Sequence, residues 1–249
     1  MSIAAWRWRR FSRADPRPRA RPAPLSLVAS PRKTECVTFP RSGHHALLAC
    51  LHRYFGEQLR YCELYQPRQF LAEQGIASHG PMDEDPATNF QKNHDWDLKL
   101  RRRPGRLYLV QYRLPTEALA SWYKLDLIDQ GGEDTRPRWE TFARRGCDFW
   151  RGFMRKWAIK PAPGTFPLGY ERLVDSPEAA LADVLRFLTG GAEPDLPRLR
   201  SALRAAPITR RNSARTFQHY DLDFFGDLLR RCRREIERAP GLAEALREP

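Results

Sequence analysis

The chain has 249 residues, 41% of them hydrophobic and 29% charged, and carries a formal net charge of +13. That length supports a substantial core, while the longest uninterrupted apolar run, Ala46 to Leu51, is too short to span a bilayer. Nine Lys or Arg against one acid in residues 1–33 supply +8 of the charge; the other 34 basic and 29 acidic residues leave +5, too little to mark the body of the chain as a nucleic-acid binder.

Residues 1–33 are rich in Arg and Pro and cannot build a core. A disordered leader is expected there, with residues 34–249 forming a single α/β domain. Three roles stay open for the leader: contact with nucleic acid or an acidic membrane, a transit-like segment, or an over-long translation start. The first thirty residues lack a continuous apolar segment of signal-peptide type, so a soluble, cytoplasmic protein is expected. Five scattered cysteines without Cys-x-x-Cys spacing argue for neither a disulfide framework nor a zinc site.

Cys36-Val37-Thr38-Phe39 suit a buried strand. They lead through Pro40-Arg41-Ser42-Gly43 into an amphipathic run, His44 to Phe55, with Leu47, Leu48, Leu51 and Phe55 at helical spacing. A strand, a Gly-containing turn and a helix start aim several backbone N–H groups and a positive dipole end at one spot, which favours an anion such as phosphate. Arg41 adds a fixed positive charge. A nucleotide-triphosphate P-loop would need Gly-Lys-Ser/Thr, and here His44 follows Gly43. A plain structural turn is the other reading.

Tyr61 to Tyr65 reads as a short strand, and residues 66–88 as an irregular stretch that either borders a binding site or is a solvated insertion. Asn89 to Asn93 is a second short strand, ahead of His94-Asp95-Trp96. Leu107 to Tyr112 is near-continuously apolar, as a central parallel strand should be. It ends at Arg113, where a P-loop NTPase would carry a magnesium-holding acid. Cations in that place suit an anionic ligand handled without a metal.

Pro115 opens a helix in its favoured first-turn position, with Ala118, Leu119, Trp122 and Leu125 on one face. Trp139, Phe142, Phe149, Trp150, Phe153 and Trp157 mark a long helix interrupted by Gly146, most of these rings belonging to the core. Phe166 to Tyr170 is a short strand. Ser176-Pro177-Glu178 starts a helix that runs to Leu188 and stops at Gly190-Gly191; two more follow near Leu196–Ala205 and Leu222–Arg238. Strands separated by helices imply parallel βαβ units, hence a doubly wound, mainly parallel α/β sheet flanked by helices. Ligands of such sheets sit at the carboxyl ends of the strands. Arg41, His94, Arg113 and Tyr170 each lie just past a predicted strand end, and so converge on one cleft.

The segment TFPRSGHH resembles the phosphosulfate-binding loop of the sulfotransferases, whose usual form is TYPKSGTTW. LYLVQYRLPTEALASWYK is similar to the second signature of that family, a hydrophobic strand ending in Arg with a Ser eight residues later, here Arg113 and Ser121. FQKNHDWDL resembles the family's strand that carries Lys and ends in His. GYERLVDSPEAALADVLRFL resembles a later segment of the form YExLxxDP followed by a helix.

This resemblance implies a P-loop-like sulfotransferase fold. It also implies metal-independent, in-line transfer of a sulfuryl group from 3′-phosphoadenosine 5′-phosphosulfate (PAPS) to a hydroxyl of a carbohydrate, lipid or small molecule. Adenosine 3′,5′-bisphosphate is the product. The N–H groups of Ser42, Gly43, His44 and His45 would hold the 5′-phosphosulfate, and Arg41 would neutralise the bridging oxygen. Arg113 and Ser121 would grip the 3′-phosphate, with Arg210 and Arg211 over it from a late basic loop, and Tyr170 would lie near the adenine. His94 would be the catalytic base, titrating near the ordinary 6.5, in the same range as His44 and His45. Lys92, on the same side of its strand, either stabilises charge on the donor or pairs with an acid.

The chain departs from the pattern at Arg41, which replaces Lys, and at His44-His45-Ala46, which replaces Thr-Thr-Trp and removes the adenine-stacking ring; either His45 stacks on the base or the nucleotide is held differently. Two other classes stay open. One is a P-loop nucleotide kinase with a degenerate loop, the other a non-catalytic anion- or nucleic-acid-binding module that uses the leader.

Overall fold

The computed structural model describes residues 29–63, 76–210 and 214–245. Five strands form one parallel sheet: β1 (Thr34–Thr38), β2 (Tyr61–Glu63), β3 (Phe90–Asn93), β4 (Leu107–Tyr112) and β5 (Thr165–Gly169), in the order β2-β3-β1-β4-β5. The chain lays β2 and β3 on one side of β1, then crosses to lay β4 and β5 on the other. That reversal is the topological switch at which doubly wound sheets bind ligands. β4 is buried along its whole length, which accounts for its near-continuously apolar character.

Helices cover both faces. They are α1 (His44–Phe55), α2 (Pro115–Gln130), α3 (Arg136–Trp157), α4 (Tyr170–Asp175), α5 (Pro177–Thr189), α6 (Leu196–Ala205), α7 (Leu222–Arg238) and α8 (Leu242–Ala245). Side chains alternate along each strand, so neighbouring residues feed different cores. Cys36, Phe90 and Leu109 pack with α1, α5 and α6, whereas Val37, Val110 and Tyr112 pack with α2, α3 and α7.

Several expectations need correction. β1 begins at Thr34 and ends before Phe39. Gly146 does not interrupt α3, which is continuous across it. Leu119 of α2 occupies the space that a Cβ at position 146 would need, so the glycine is there for close helix packing. Tyr170 opens α4 directly after β5 instead of ending the strand. On the expected α2 face, which is not itself corrected, Ala118 and Leu119 are buried while Trp122 and Leu125 are half-buried and line the cleft described below. The leader up to residue 28, the end of the expected Tyr61–Tyr65 strand and Arg211 lie outside the described residues. Among the described residues no helix is long and apolar enough to cross a membrane.

Candidate active site

All five strands deliver a polar residue or a loop to the same end of the sheet. A cleft of about 440 Å³ opens there, within the usual range for ligand sites. It is lined by the loop after β1 (Phe39–Arg41 and Gly43), by His44 and His45 of α1, by Lys92 of β3 and His94 just after it, by Arg113 after β4 and by Tyr170 after β5. Ser121 on α2 completes the set.

The loop is held open by its backbone. Arg41 and Gly43 both adopt positive φ, 65° and 83°. For Gly43 there is also a packing reason: a Cβ would lie 2.6 Å from Cδ2 of Tyr170, so only glycine lets that ring rest against the loop. Gly43 is the N-cap of α1, and no side chain caps its first amides. Ser42 Oγ is buried with no hydrogen-bond partner among the described residues. Uncapped amides beside a buried hydroxyl lacking a partner are what an oxyanion would satisfy. Arg41 Nε donates to Ser121 Oγ at 2.9 Å, tying the loop to α2.

Arg113 is 4% exposed. Its Nη2 lies 3.0 Å from Glu117 Oε2, and its guanidinium sits 4.2 Å over the Tyr170 ring. The backbone around it is pinned as well. Trp150 Nε1 donates to the Arg113 carbonyl at 2.9 Å, and the Leu114 N–H donates to buried Glu171 at 3.0 Å. Tyr170 donates its hydroxyl to the Thr209 carbonyl at 3.1 Å, which draws Pro207 and Thr209 to the rim. Arg210 turns away: it is bound to Asp175 and does not line the cleft.

His94 Nδ1 donates to the Thr38 carbonyl at 2.7 Å and lies 3.0 Å from Thr38 Oγ1. A carbonyl only accepts, so Nδ1 carries the proton and the lone pair is on Nε2. Burial, and next the nearby Lys92 charge, lower its pKa to about 4, against the opposing effect of the Thr38 hydrogen bond. The expectation of titration near 6.5 is therefore corrected: His94 is neutral at physiological pH. His44 is corrected in the same direction. It is buried, and desolvation, with the charges of Lys92 and His45, holds it well below the ordinary histidine range.

Beneath the loop lies a polar floor. Lys92 pairs with Glu63 at the end of β2, its register partner on the neighbouring strand. Tyr61 donates to Glu63 Oε2 at 2.8 Å, and His45 Nε2 lies 3.5 Å from the same oxygen. His44 contacts Tyr61 Oη at 2.8 Å and Gln111 Oε1 at 3.0 Å. Burial alone would raise the Glu63 carboxyl, but His45 and the Lys92 ammonium outweigh it and hold the group well below the usual carboxylate range. Glu63 is the principal site residue that sequence reasoning missed. A lone acid in a three-residue strand carries no signal until the sheet order places it beside Lys92.

Beyond His94 the character changes. The Trp96 ring lies 4.8 Å from His94, 5.3 Å from Trp122 and 5.7 Å from Phe149, and Trp122 lies 5.0 Å from Phe142. These rings wall a second, more apolar groove of about 740 Å³ that shares Trp96 and Trp122 with the cleft. Trp96 is presented by a loop anchored at Asp95, whose carboxylate accepts from Lys156 and from Trp157 Nε1, both at 2.7 Å. Of the six α3 rings expected mostly in the core, Trp139, Trp150, Phe153 and Trp157 are buried, while Phe142 and Phe149 line the groove. Among the described residues no group of three or more His, Cys, Asp or Glu is arranged to hold a metal.

Neither a family model nor a curated protein sequence matches the chain. Among solved structures, it is similar to a sulfotransferase from Alicyclobacillus acidocaldarius, with 13% identity and a TM-score of 0.44 over 87% of this chain and 99% of that one. It is also similar to the sulfotransferase domain from the curacin biosynthetic pathway, with 16% identity and a TM-score of 0.43 over 82% of this chain and 97% of that one. The fold is read from the parallel sheet itself.

Proposed function

We propose that the chain is a metal-independent sulfotransferase that moves a sulfuryl group from PAPS to a hydroxyl acceptor. The observation that carries the reading is the cleft itself. The start of α1, without a side-chain cap, a buried Arg113 where a nucleotide kinase would hold magnesium through an acid, and a neutral His94 all face one space, and the partnerless Ser42 hydroxyl is buried in the loop beside it. A kinase loop would also need a lysine at position 44, whereas His44 is buried beneath the loop against Tyr61 and Gln111. The catalytic unit is residues 34–249, with the basic leader outside it and available to an acidic surface.

In this reading the amides from Ser42 to His45 hold the phosphosulfate, and Arg113, Ser121 and Tyr170 hold the nucleotide. Arg210 and Arg211 are left outside the primary contacts. The acceptor oxygen attacks sulfur as the bond from sulfur to the bridging oxygen breaks. His94 Nε2 takes the acceptor proton, and Arg41 and Lys92 stabilise the charge that builds on the departing adenosine 3′,5′-bisphosphate. Catalysis rests on positioning and charge neutralisation.

Titration calorimetry tests the donor site. Adenosine 3′,5′-bisphosphate should bind more tightly than AMP by about tenfold or more. Arg113→Ala should remove most of that preference, because a charge-assisted hydrogen bond contributes roughly 1.5–3 kcal/mol. Equal affinities for the two nucleotides in the unsubstituted protein end the assignment, as does binding that requires magnesium.

A further inference from the structure

The ring-lined groove beside His94 has a composition that the donor chemistry does not use. We infer that it is the acceptor site and that it takes a hydroxylated aromatic compound bearing an anionic substituent, a phenol carboxylate being the simplest form. This rests on the sulfotransferase reading for the chemistry, though not for the binding.

Three observations carry it. First, the groove adjoins the cleft, with which it shares Trp96 and Trp122, and its walls include the rings of Trp96, Trp122, Phe142 and Phe149. Trp96 is 46% exposed, an unusual position for so large an apolar surface unless something planar covers it. Asp126, Arg138, Thr141 and Arg145 supply polar groups beside these rings. A flat aromatic body matches the rings.

Second, the charges at the rim are unequal. Arg138 and Asp126 satisfy each other at 3.2 Å, and Arg138 also donates to the Gly131 carbonyl at 2.7 Å. Arg145, on the same rim, is exposed and makes no hydrogen bond or ion pair among the described residues. One unmatched guanidinium beside an apolar groove favours a ligand with an anionic end away from its reacting hydroxyl.

Third, the base suits the acceptor. A histidine with a pKa of about 4 is a weak base. Against a phenol, with a pKa near 10 as in tyrosine, the mismatch is about six units. Against an aliphatic hydroxyl, close to water's value of about 15.7, it nearly doubles. Proton transfer in the transition state is thus far easier from a phenol. The Lys92 ammonium that depresses His94 also favours the developing phenolate.

The test is binding first, then turnover, with 6-hydroxy-2-naphthoate, its methyl ester, glucose and 1-dodecanol as probes. Calorimetry on the full chain with saturating adenosine 3′,5′-bisphosphate should show the naphthoate bound about tenfold more tightly than its ester, and neither glucose nor dodecanol bound. Arg145→Gln should bring acid and ester to similar affinity, and Trp96→Ala should weaken both. With PAPS, only the two phenols should be sulfated. Sulfation of glucose or dodecanol in preference to the phenols overturns the inference while leaving the donor reading intact. Naphthoate binding in a protein that ignores adenosine 3′,5′-bisphosphate overturns the donor reading while leaving the groove's ligand class intact. No binding of either phenol, with the nucleotide bound, overturns the inference outright.

Discussion

The cleft has two sides built on opposite principles. On the α1 side, Glu63, Lys92, Tyr61 and His44, with half-buried His45, form a polar floor of hydrogen bonds and ion pairs, within β2, between β2 and β3, and from α1 to β2. On the α2–α3 side, Trp96, Trp122, Phe142 and Phe149 meet ring to ring. Directional contacts in a low-dielectric setting fix positions tightly and are costly to break. Ring contacts tolerate sliding and exchange of partners. The floor therefore suits a task with one geometry, holding an anion and a developing charge, and the ring wall suits a variable organic ligand.

The contrast can be broken most forcefully at Lys92. Lys92→Met should destabilise the fold by about 3–5 kcal/mol, because Glu63 is left as an uncompensated buried charge. The double change Lys92→Met with Glu63→Gln should recover much of that loss in urea unfolding. If the single change is mild, the floor is no more demanding than the wall.

His94 gives the next effect, through pH. Its folded value, about 4, lies below the ordinary 6.5, so between those values the unfolded chain binds a proton that the folded chain does not. Stability is therefore full above about pH 6.5 and falls as pH drops toward 4, by on the order of 3 kcal/mol from this residue. His44 adds in the same direction. His94→Asn should flatten part of that slope, and its turnover should fall on the order of 10²–10⁴-fold while nucleotide binding is retained. The unsubstituted enzyme should keep a level rate from pH 8 down to about 5, losing activity only near 4; a limb centred near 6.5 would mean a different base. The smallest effect belongs to the wall. Phe149→Leu, at a half-buried ring, should cost only about 1 kcal/mol while altering which acceptors bind.

How much of this was legible in the sequence follows the same division. α1, β4, α6 and α7 have the bounds that periodicity and Gly/Pro punctuation suggest, because those signals are local. Arg41, His94, Arg113 and Tyr170 reach one cleft because parallel strands end together. Glu63 was hidden because its partner is 29 residues away and its strand is three residues long. The titration of His94 and His44 was misread because burial, which sequence does not show, dominates both. Gly146 looked like a helix breaker only because the Leu119 side chain that needs its space belongs to another helix. Helical spacing put Trp122 on one face with Ala118 and Leu119, but it does not say what each part of that face meets, and Trp122 meets the cleft.

The same helix, α2, has a consequence for ligand traffic. α2 sends Ser121 toward the cleft and Trp122, its next residue, to the wall between cleft and groove, while Leu119 packs the helix closely against α3. Trp122 lines both pockets, so one ring is a wall to either ligand. Whatever a ligand in one pocket does to affinity in the other, the second ligand returns in equal measure.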